Sequence, residues 1–209
     1  MSLLSTDTAH RALMRVMRHH APRSDLSTHT VANQSEPLVG VNWYADDAML
    51  KSALSRNGAD VHAERLSSMG AEVGSDGVQD LARMANENPP RFKPFDRFGH
   101  RIDEVEFHPA YHALMELGLG HGVSSAAWTV EQAPHSLHAA LLMLMGTADA
   151  GVCCPQSMTY ACVPALRKSD WTGPWIQGVT AGRYDPRFLP PEEKVGLTLG
   201  MAMTEKQGG

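Results

Sequence analysis

The stretch from residue 123 to residue 166 limits the possible folds more than any other part of the sequence, because it is almost free of charge. Its only formally charged side chains are Glu131 and Asp149. Apolar residues recur at helical spacing within it, as in PHSLHAALLMLMGTADAG and SMTYACVPALRK. A helix with so few charges must be covered on several sides by other parts of the protein. We therefore predict a mainly helical domain in which these helices are buried.

Amphipathic segments precede this stretch and end at glycine, asparagine or proline. DDAMLKSALSRNG begins with two candidate N-caps, Asp46 and Asp47, and carries apolar residues at helical spacing. ADVHAERLSSMGAEVG and SDGVQDLARMANEN repeat this pattern, with Val61 on the apolar face of the first and Ser75 or Asp76 as the cap of the second. Pro89 and Pro90 follow and stop helix propagation. The sequence therefore predicts a cluster of three amphipathic helices before residue 89.

The aromatic stretch RFKPFDRFGHRIDEVEFHP interrupts the helical pattern. Its phenylalanines and central Gly99 predict an irregular excursion or a small hairpin. Helix resumes after it, with His108 as a candidate N-cap and Pro109 at the first position, where a missing amide N–H is tolerated. His108 and His112 have a spacing that can hold a metal ion, but a cap and a surface histidine are the favoured interpretation.

Three cysteines, Cys153, Cys154 and Cys162, lie in one short region without C-x-x-C spacing. We interpret them as small buried apolar side chains rather than metal ligands, in a reducing compartment. No apolar run approaches the roughly 20 residues that span a bilayer, so we expect a soluble protein with no membrane partner. The reducing compartment indicates a cytoplasmic location. Four arginines against Asp7 in the first 24 residues fit a weak organelle-targeting segment or, as we favour, a frayed helical extension.

The end of the chain changes character again. RYDPRFLPPEE contains three prolines and is interpreted as a linker, and KVGLTLGMAMT predicts a first strand of a new element from about residue 194. The final GMAMTEKQGG supplies a hydroxyl group, exposed backbone amides and flexible glycines, which together can hold a polar edge and a phosphate. An ordinary turn is the alternative, and the spacing alone favours it.

GMAMTEKQGG resembles the flavin-binding signature of acyl-CoA dehydrogenases, and its TEKQGG form resembles the AidB branch of that superfamily, the bacterial adaptive-response flavoproteins. Lys206 stands where generic acyl-CoA dehydrogenases usually have proline, which points to the AidB branch. Further stretches resemble successive parts of the same branch and extend the resemblance from Ser27 to Gly209. These stretches are THTVANQSEPL, LARMANENPP, FDRFGHRIDEVEFHPAYHALM, CPQSMTYACVPAL and RYDPRFLPPEEKVGLTLGMAMTEKQGG.

The resemblance implies a mainly α fold, namely the N-terminal helical domain of the acyl-CoA dehydrogenase fold, ending in the first strand of the central β-domain. We expect an N-terminal extension at residues 1–26, with disorder as one alternative for it, the helical domain at 27–190, and the truncated start of the β-domain at 191–209. In the intact family a C-terminal helical bundle follows and a homotetramer is expected.

The resemblance also implies FAD as the cofactor, bound at an incomplete site. Thr204 matches the position whose hydroxyl and backbone bond the polar edge of the isoalloxazine, while Gly208 and Gly209 lead toward the diphosphate. The cofactor-binding residues implied in this way are Met201, Ala202, Met203, Thr204, Glu205, Lys206, Gln207, Gly208 and Gly209. By analogy, the stretch from Met158 to Leu166 helps to wall the acyl and flavin pocket.

The implied activity is that of a FAD-dependent oxidoreductase acting on an acyl-CoA thioester. In the family, a glutamate removes the α-proton while the β-hydrogen leaves as hydride to the flavin. That glutamate and the serine that bonds the diphosphate follow later in the family pattern, so no catalytic residue is assigned here. We expect that the chain alone does not turn over.

The alternative function is that of a DNA-associated protective or repressor protein of the alkylation response, with a structural flavin. The resemblance places contacts with double-stranded DNA mainly in the C-terminal region of the intact family. The net charge of -5 agrees with that placement, because surfaces that bind nucleic acids usually cluster lysine and arginine.

Overall fold

The computed structural model describes residue 28, residues 32–202, residue 204 and residues 206–207. Its helices are α1 (Ala48–Arg56), α2 (Ala63–Val73), α3 (Asp76–Glu87), α4 (Pro109–His121), α5 (Ala126–Thr129), α6 (Pro134–Ala148), α7 (Ala150–Leu166) and α8 (Gly173–Thr180). Short 3-10 helices lie at Asp60–His62, Asp170–Thr172 and Pro191–Glu193. The mainly helical fold is confirmed. The extension at 1–26, with both of its interpretations, lies outside the described residues.

The predicted caps begin three of these helices. The Asp47 carboxylate accepts a hydrogen bond from the amide of Leu50 at 2.8 Å at the start of α1. Helix α3 begins after Ser75, and α4 begins after His108 with Pro109 in its first position. The predicted place of Val61 on a buried face is wrong. Val61 is 59% exposed, because it lies in a 3-10 turn before α2 begins.

Helix α6 forms the centre of the domain, as its lack of charge predicts. Its inward side chains are almost completely buried, and they are Leu137, Leu141, Leu144 and Met145. Helices α2, α5 and α7 pack against it, so the apolar surface of α6 is covered on several sides. Helix α6 is therefore the central helix against which the flanking helices pack.

The aromatic stretch folds as a hairpin, which decides between the two predicted alternatives. Strands β1 (Arg91–Phe95) and β2 (Arg101–Glu106) pair antiparallel, with Phe92 opposite Val105. The register shifts between Lys93 and Phe95, around Pro94, because proline has no amide N–H to donate to the ladder. Phe92, Phe95 and Phe98 remain more than half exposed.

Helix α7 contains two internal prolines, Pro155 and Pro164. A proline inside a helix leaves the carbonyl four residues earlier without its usual donor. For Pro164 that carbonyl belongs to Tyr160, and the indole Nε1–H of Trp128 donates to it at 3.1 Å. The side chain of Trp128 therefore replaces the missing helix hydrogen bond and ties α5 to α7.

Candidate functional site

The chain that follows the 3-10 helix Pro191–Glu193 runs along α8 and α7, and we call residues 194–202 the docked segment. Every second amide of this segment donates a hydrogen bond to an acceptor outside it. The four pairs are Val195 N to Asp185 Oδ2 (3.1 Å), Leu197 N to Gly178 O (3.0 Å), Leu199 N to Thr159 Oγ1 (3.1 Å) and Met201 N to Met158 Sδ (3.3 Å). The segment is therefore fixed to the helical domain at one edge.

The strand predicted from about residue 194 is not formed within residues 194–202, and this corrects the sequence-based expectation. A β-ladder requires a neighbouring strand, whereas the acceptors here are side chains and a helix carbonyl. The period of two in the hydrogen bonds nevertheless matches the alternation of KVGLTLGMAMT, since alternate amides of an extended chain point to the same side.

Asp185 is the first anchor of the docked segment and was missed by the sequence-based reasoning. Asp185 is only 5% exposed. Its carboxylate accepts hydrogen bonds from three nitrogens of Arg187, namely the backbone N (3.1 Å), Nε (2.8 Å) and Nη2 (2.6 Å), and from the amide of Val195. The hydrogen bond from the Arg187 side chain is the main reason why the pKa of Asp185 is well below its usual range. Residues 183–193 are therefore not a simple linker.

A local signal for this anchor exists in the sequence. The carboxylate of Asp185 accepts from the backbone amide two residues later, which is the geometry of an Asx turn, and aspartate favours such turns. Asp-Pro-Arg at residues 185–187 could therefore have been interpreted as a structured turn. The bond to Val195, ten residues away, leaves no such signal.

Two glycines allow the docked segment to approach the helical domain closely. A Cβ atom on Gly196 would overlap the backbone oxygen of Arg183. A Cβ atom on Gly178, in α8, would lie 2.6 Å from Cδ1 of Leu197. Any larger side chain at either position would push the segment and its support apart.

The implied flavin-contacting residues begin at the end of the docked segment. Their described members are exposed, and these are Met201, Ala202, Thr204, Lys206 and Gln207. Met203, Glu205, Gly208 and Gly209 lie outside the described residues. The hydroxyl of Thr204 and the ammonium of Lys206 are hydrogen-bond donors, which suit the acceptor-rich edge of an isoalloxazine and a phosphate. The donor set of the described residues therefore fits a flavin nucleotide.

The structure brings together two stretches that the sequence separates by about 40 residues. In α7, Met158 accepts a hydrogen bond from the amide of Met201, and Thr159 accepts one from the amide of Leu199. The stretch from Met158 to Leu166 therefore begins directly beside the residues that match the flavin signature. The pairing of Thr159 with Leu199 was not anticipated, because a contact between residues 40 apart has no local pattern.

His112 is not a surface histidine, and that expectation is corrected. It is half-buried, and its Nδ1 lies 2.8 Å from the hydroxyl of Tyr184. Burial lowers the pKa of His112 and raises that of Tyr184, so both side chains favour their neutral forms. They line a cleft of about 440 Å³ together with Glu104, Glu106, Arg187 and Lys194.

The cysteines differ from one another in their surroundings. Burial raises the pKa of the Cys153 thiol to about 11, whereas Cys154 is exposed, so the interpretation as a buried side chain is wrong for Cys154. In the part of the chain that the structure describes, no three or more His, Cys, Asp or Glu side chains cluster as metal ligands would. Every helix within the same residues falls short of the length and apolar character needed to cross a bilayer.

Comparison with known proteins gives one family and several relatives. Residues 33–186 match the family described as the adaptive response protein AidB N-terminal domain. AidB of Escherichia coli (strain K12), provisionally named an acyl-CoA dehydrogenase, is 40% identical over 190 residues, which are 87% of this chain and 34% of that protein. Acyl-CoA dehydrogenase family member 11 of Caenorhabditis elegans is 28% identical over 175 residues, covering 80% of this chain and 28% of that protein.

Solved structures with the same fold agree with these matches. The crystal structure of Caenorhabditis elegans ACDH-11 in complex with C11-CoA has a TM-score of 0.69 and 25% identity, and the match covers 92% of this chain and 33% of that one. The apo form of Bd2924 has a TM-score of 0.71 and 24% identity over 84% of this chain and 35% of that one, and supports the fold alone. The chain therefore spans about a third of the length of the relatives that it matches.

Proposed function

The chain belongs to the AidB N-terminal domain family of acyl-CoA dehydrogenase relatives, and on that premise we propose that it forms the helical first domain of a FAD-dependent acyl-CoA dehydrogenase of the AidB type. In this proposal residues 27–190 are the helical domain and residues 191–209 begin the β-domain. The substrate class is an acyl-CoA thioester, which is supported by the C11-CoA complex of the Caenorhabditis elegans protein.

One observation carries this proposal further than the family match alone. The hydrogen bond from Leu199 N to Thr159 Oγ1 joins the segment that leads into the flavin signature to the helix that walls the acyl pocket by analogy. A dehydrogenase of this class requires the acyl chain and the flavin to lie side by side, because hydride passes directly between them. The two stretches lie side by side in this chain, as a site that holds an acyl chain next to a flavin requires.

FAD, when bound, supplies the hydride acceptor. By the family resemblance, the Thr204 hydroxyl would hold the polar edge of the isoalloxazine, and Gly208 and Gly209, which lie outside the described residues, would lead toward the diphosphate. By the same analogy, the stretch from Met158 to Leu166 would help to exclude water from the reacting carbons. None of the acids of this chain is proposed as the base that removes the α-proton.

The test uses a fusion in which this chain replaces the matched third of Escherichia coli AidB, and we call it the fusion protein. We expect the fusion protein to purify with FAD and to lose its oxidised-flavin absorbance when an undecanoyl-CoA thioester is added without oxygen. The unfused 209-residue chain should bind FAD more weakly, because one edge of a site leaves most of a large ligand exposed.

Thr204 is tested in the same fusion protein. Thr204→Ala removes one hydrogen bond and should weaken FAD binding by about tenfold, whereas Thr204→Ser keeps the hydroxyl and should bind FAD nearly as tightly as the parent. A folded fusion protein without bound flavin would contradict the proposal, as would equal affinities in the alanine and serine variants. A homotetramer is proposed for the fusion protein and is checked by its mass in solution.

The DNA-associated alternative receives little support from the charges of the described residues. Several of the basic side chains are neutralised by carboxylates in ion pairs: Arg83 with Asp80 and Glu87, Lys93 with Glu106, and Arg101 with Asp103. These three side chains therefore have little net positive charge left for phosphates. A salt-sensitive gel shift of double-stranded DNA by the 209-residue chain would favour this alternative instead.

A further inference from the structure

Thr159 is a completely buried polar residue in the middle of α7, and its hydroxyl makes two hydrogen bonds. It donates to the carbonyl of Pro155 within the helix at 2.7 Å. It accepts from the backbone amide of Leu199 in the docked segment at 3.1 Å. A hydroxyl can donate once and accept twice, so Thr159 serves the helix and the docked segment at the same time.

The hydrogen bond between Thr159 and Leu199 lies near the end of the docked segment, close to Thr204. Leu199 precedes Thr204 by five residues, and the one later anchor among the described residues is the bond from Met201 to the sulfur of Met158. A thioether is a weak acceptor, so among the described residues Thr159 is the last strong anchor before Thr204. The other strong anchors, at Val195 and Leu197, lie further back along the chain.

The register of the docked segment decides which way its side chains point. In an extended chain a shift by one residue turns every side chain to the opposite face. Leu199 lies only five residues before Thr204, so a shift of the docked segment at Leu199 would move the chain that leads to Thr204. An anchor at Leu199 therefore restricts the position from which the chain continues to Thr204.

We propose that Thr159 is a positioning residue, whose buried hydroxyl fixes the register at which the docked segment presents Thr204 to the flavin. This inference rests on the proposed function for its second half, the delivery of Thr204 to FAD. Its first half, the fixing of the register, concerns this chain alone.

The first test measures amide hydrogen exchange in the 209-residue chain. Thr159→Val has nearly the same shape but no hydroxyl, and it should speed exchange at the Leu199 amide by about tenfold or more. Thr159→Ser keeps the acceptor and should leave that amide as slow as in the parent chain. The Val195 amide, which Asp185 holds, is the internal control and should be unaffected by either change. Faster exchange at Val195 as well as Leu199 in Thr159→Val would overturn the proposal, because Thr159 would then stabilise the domain as a whole.

The second test measures FAD affinity in the fusion protein. Thr159→Val should weaken FAD binding by about tenfold, and Thr159→Ser should restore it. Equal affinity in the parent and Thr159→Val would overturn the positioning role and leave the proposed function intact. A parent fusion protein that binds no FAD would overturn the proposed function and the delivery of Thr204 with it, while the exchange experiment would still report on the register.

Discussion

The hydroxyl of Tyr184 lies 2.8 Å from Nδ1 of His112, a residue 72 positions earlier in the sequence. This hydrogen bond joins the chain that follows α8 to the first turn of α4. It lies next to Asp185, the first anchor of the docked segment, so it helps to hold the start of that segment against the helical domain.

Removal of the Tyr184 hydroxyl should lower the free energy of unfolding. Tyr184→Phe loses a half-buried hydrogen bond, and we expect a loss of about 1 kcal/mol in urea denaturation. Tyr160→Phe is the matched control, because the Tyr160 hydroxyl also contacts a histidine Nδ1, that of His135, at 2.9 Å but at an exposed position. Water can replace that exposed bond, so Tyr160→Phe should cost less. Equal losses in the two variants would contradict the role of burial.

Gly196 and Gly200 offer a matched pair for the packing of the docked segment. Gly196→Ala places a methyl group against the backbone oxygen of Arg183, which cannot move aside as a side chain can, and should lower the unfolding free energy by about 2 kcal/mol. A Cβ atom on Gly200 meets nothing within 4 Å, so Gly200→Ala should change stability by less than about 0.5 kcal/mol. Thermal unfolding of both variants checks this difference, and a neutral Gly196→Ala would be inconsistent with the close approach.

Gln156 should be replaceable by methionine with a gain in stability. Its side chain is completely buried, and among the described residues its Oε1 has no hydrogen-bond partner and its Nε2 has one acceptor, the sulfur of Met115 at 3.8 Å. An unpaired buried oxygen is costly, so Gln156→Met should raise the unfolding free energy by about 1 kcal/mol. In contrast, Gln79→Met removes a donor to the carbonyl of Val73 at 2.8 Å and should be destabilising. A large loss in Gln156→Met would show that the amide has a partner in solution.

The stability of the domain should fall as the pH drops below the ordinary pKa of histidine. His138 is only 7% exposed, and this burial lowers its pKa. Its Nδ1 lies 2.6 Å from the carbonyl oxygen of Val123. The unfolded chain then binds a proton at a higher pH than the folded chain does. Stabilisation is therefore complete above about pH 6.5 and is lost as the pH falls toward the lowered value, with a slope of at most about 1.4 kcal/mol per pH unit.

Urea denaturation between about pH 5 and about pH 7.5 measures this dependence. His112 should contribute in the same direction, because burial lowers its pKa too. His138→Asn removes one titrating group, so its curve of stability against pH should be flatter than that of the parent chain. An unchanged slope in His138→Asn would exclude His138 as the source.

The helices and their caps were predictable because their signals are local. Asp47, Ser75 and His108 are each followed by the amides that they cap within three residues. The alternation after residue 194 was also recognised, but the sequence could not show that Asp185 and residues of α7 and α8 would supply the acceptors in place of a strand. A strand requires a partner, and the identity of the partner is not encoded in the segment itself.

The candidate site was less predictable for the same reason. Thr204 and its neighbours were identified from their resemblance to a signature, whereas the anchors of the docked segment come from distant positions. Thr159 contacts a residue 40 positions away, and His112 contacts one 72 positions away. Neither residue differs in type or spacing from an ordinary helical threonine or histidine, so only the folded chain distinguishes them.

The hydrogen bond from the indole of Trp128 to the carbonyl of Tyr160 has an evolutionary consequence. That carbonyl is available because Pro164 has no N–H, so the two side chains at 128 and 164 form a compensating pair. In an alignment of homologues these positions should covary: a lineage that keeps proline at 164 retains a donor at 128. Where another amino acid at position 164 restores the helix hydrogen bond, we expect position 128 to vary and to include side chains without an N–H donor.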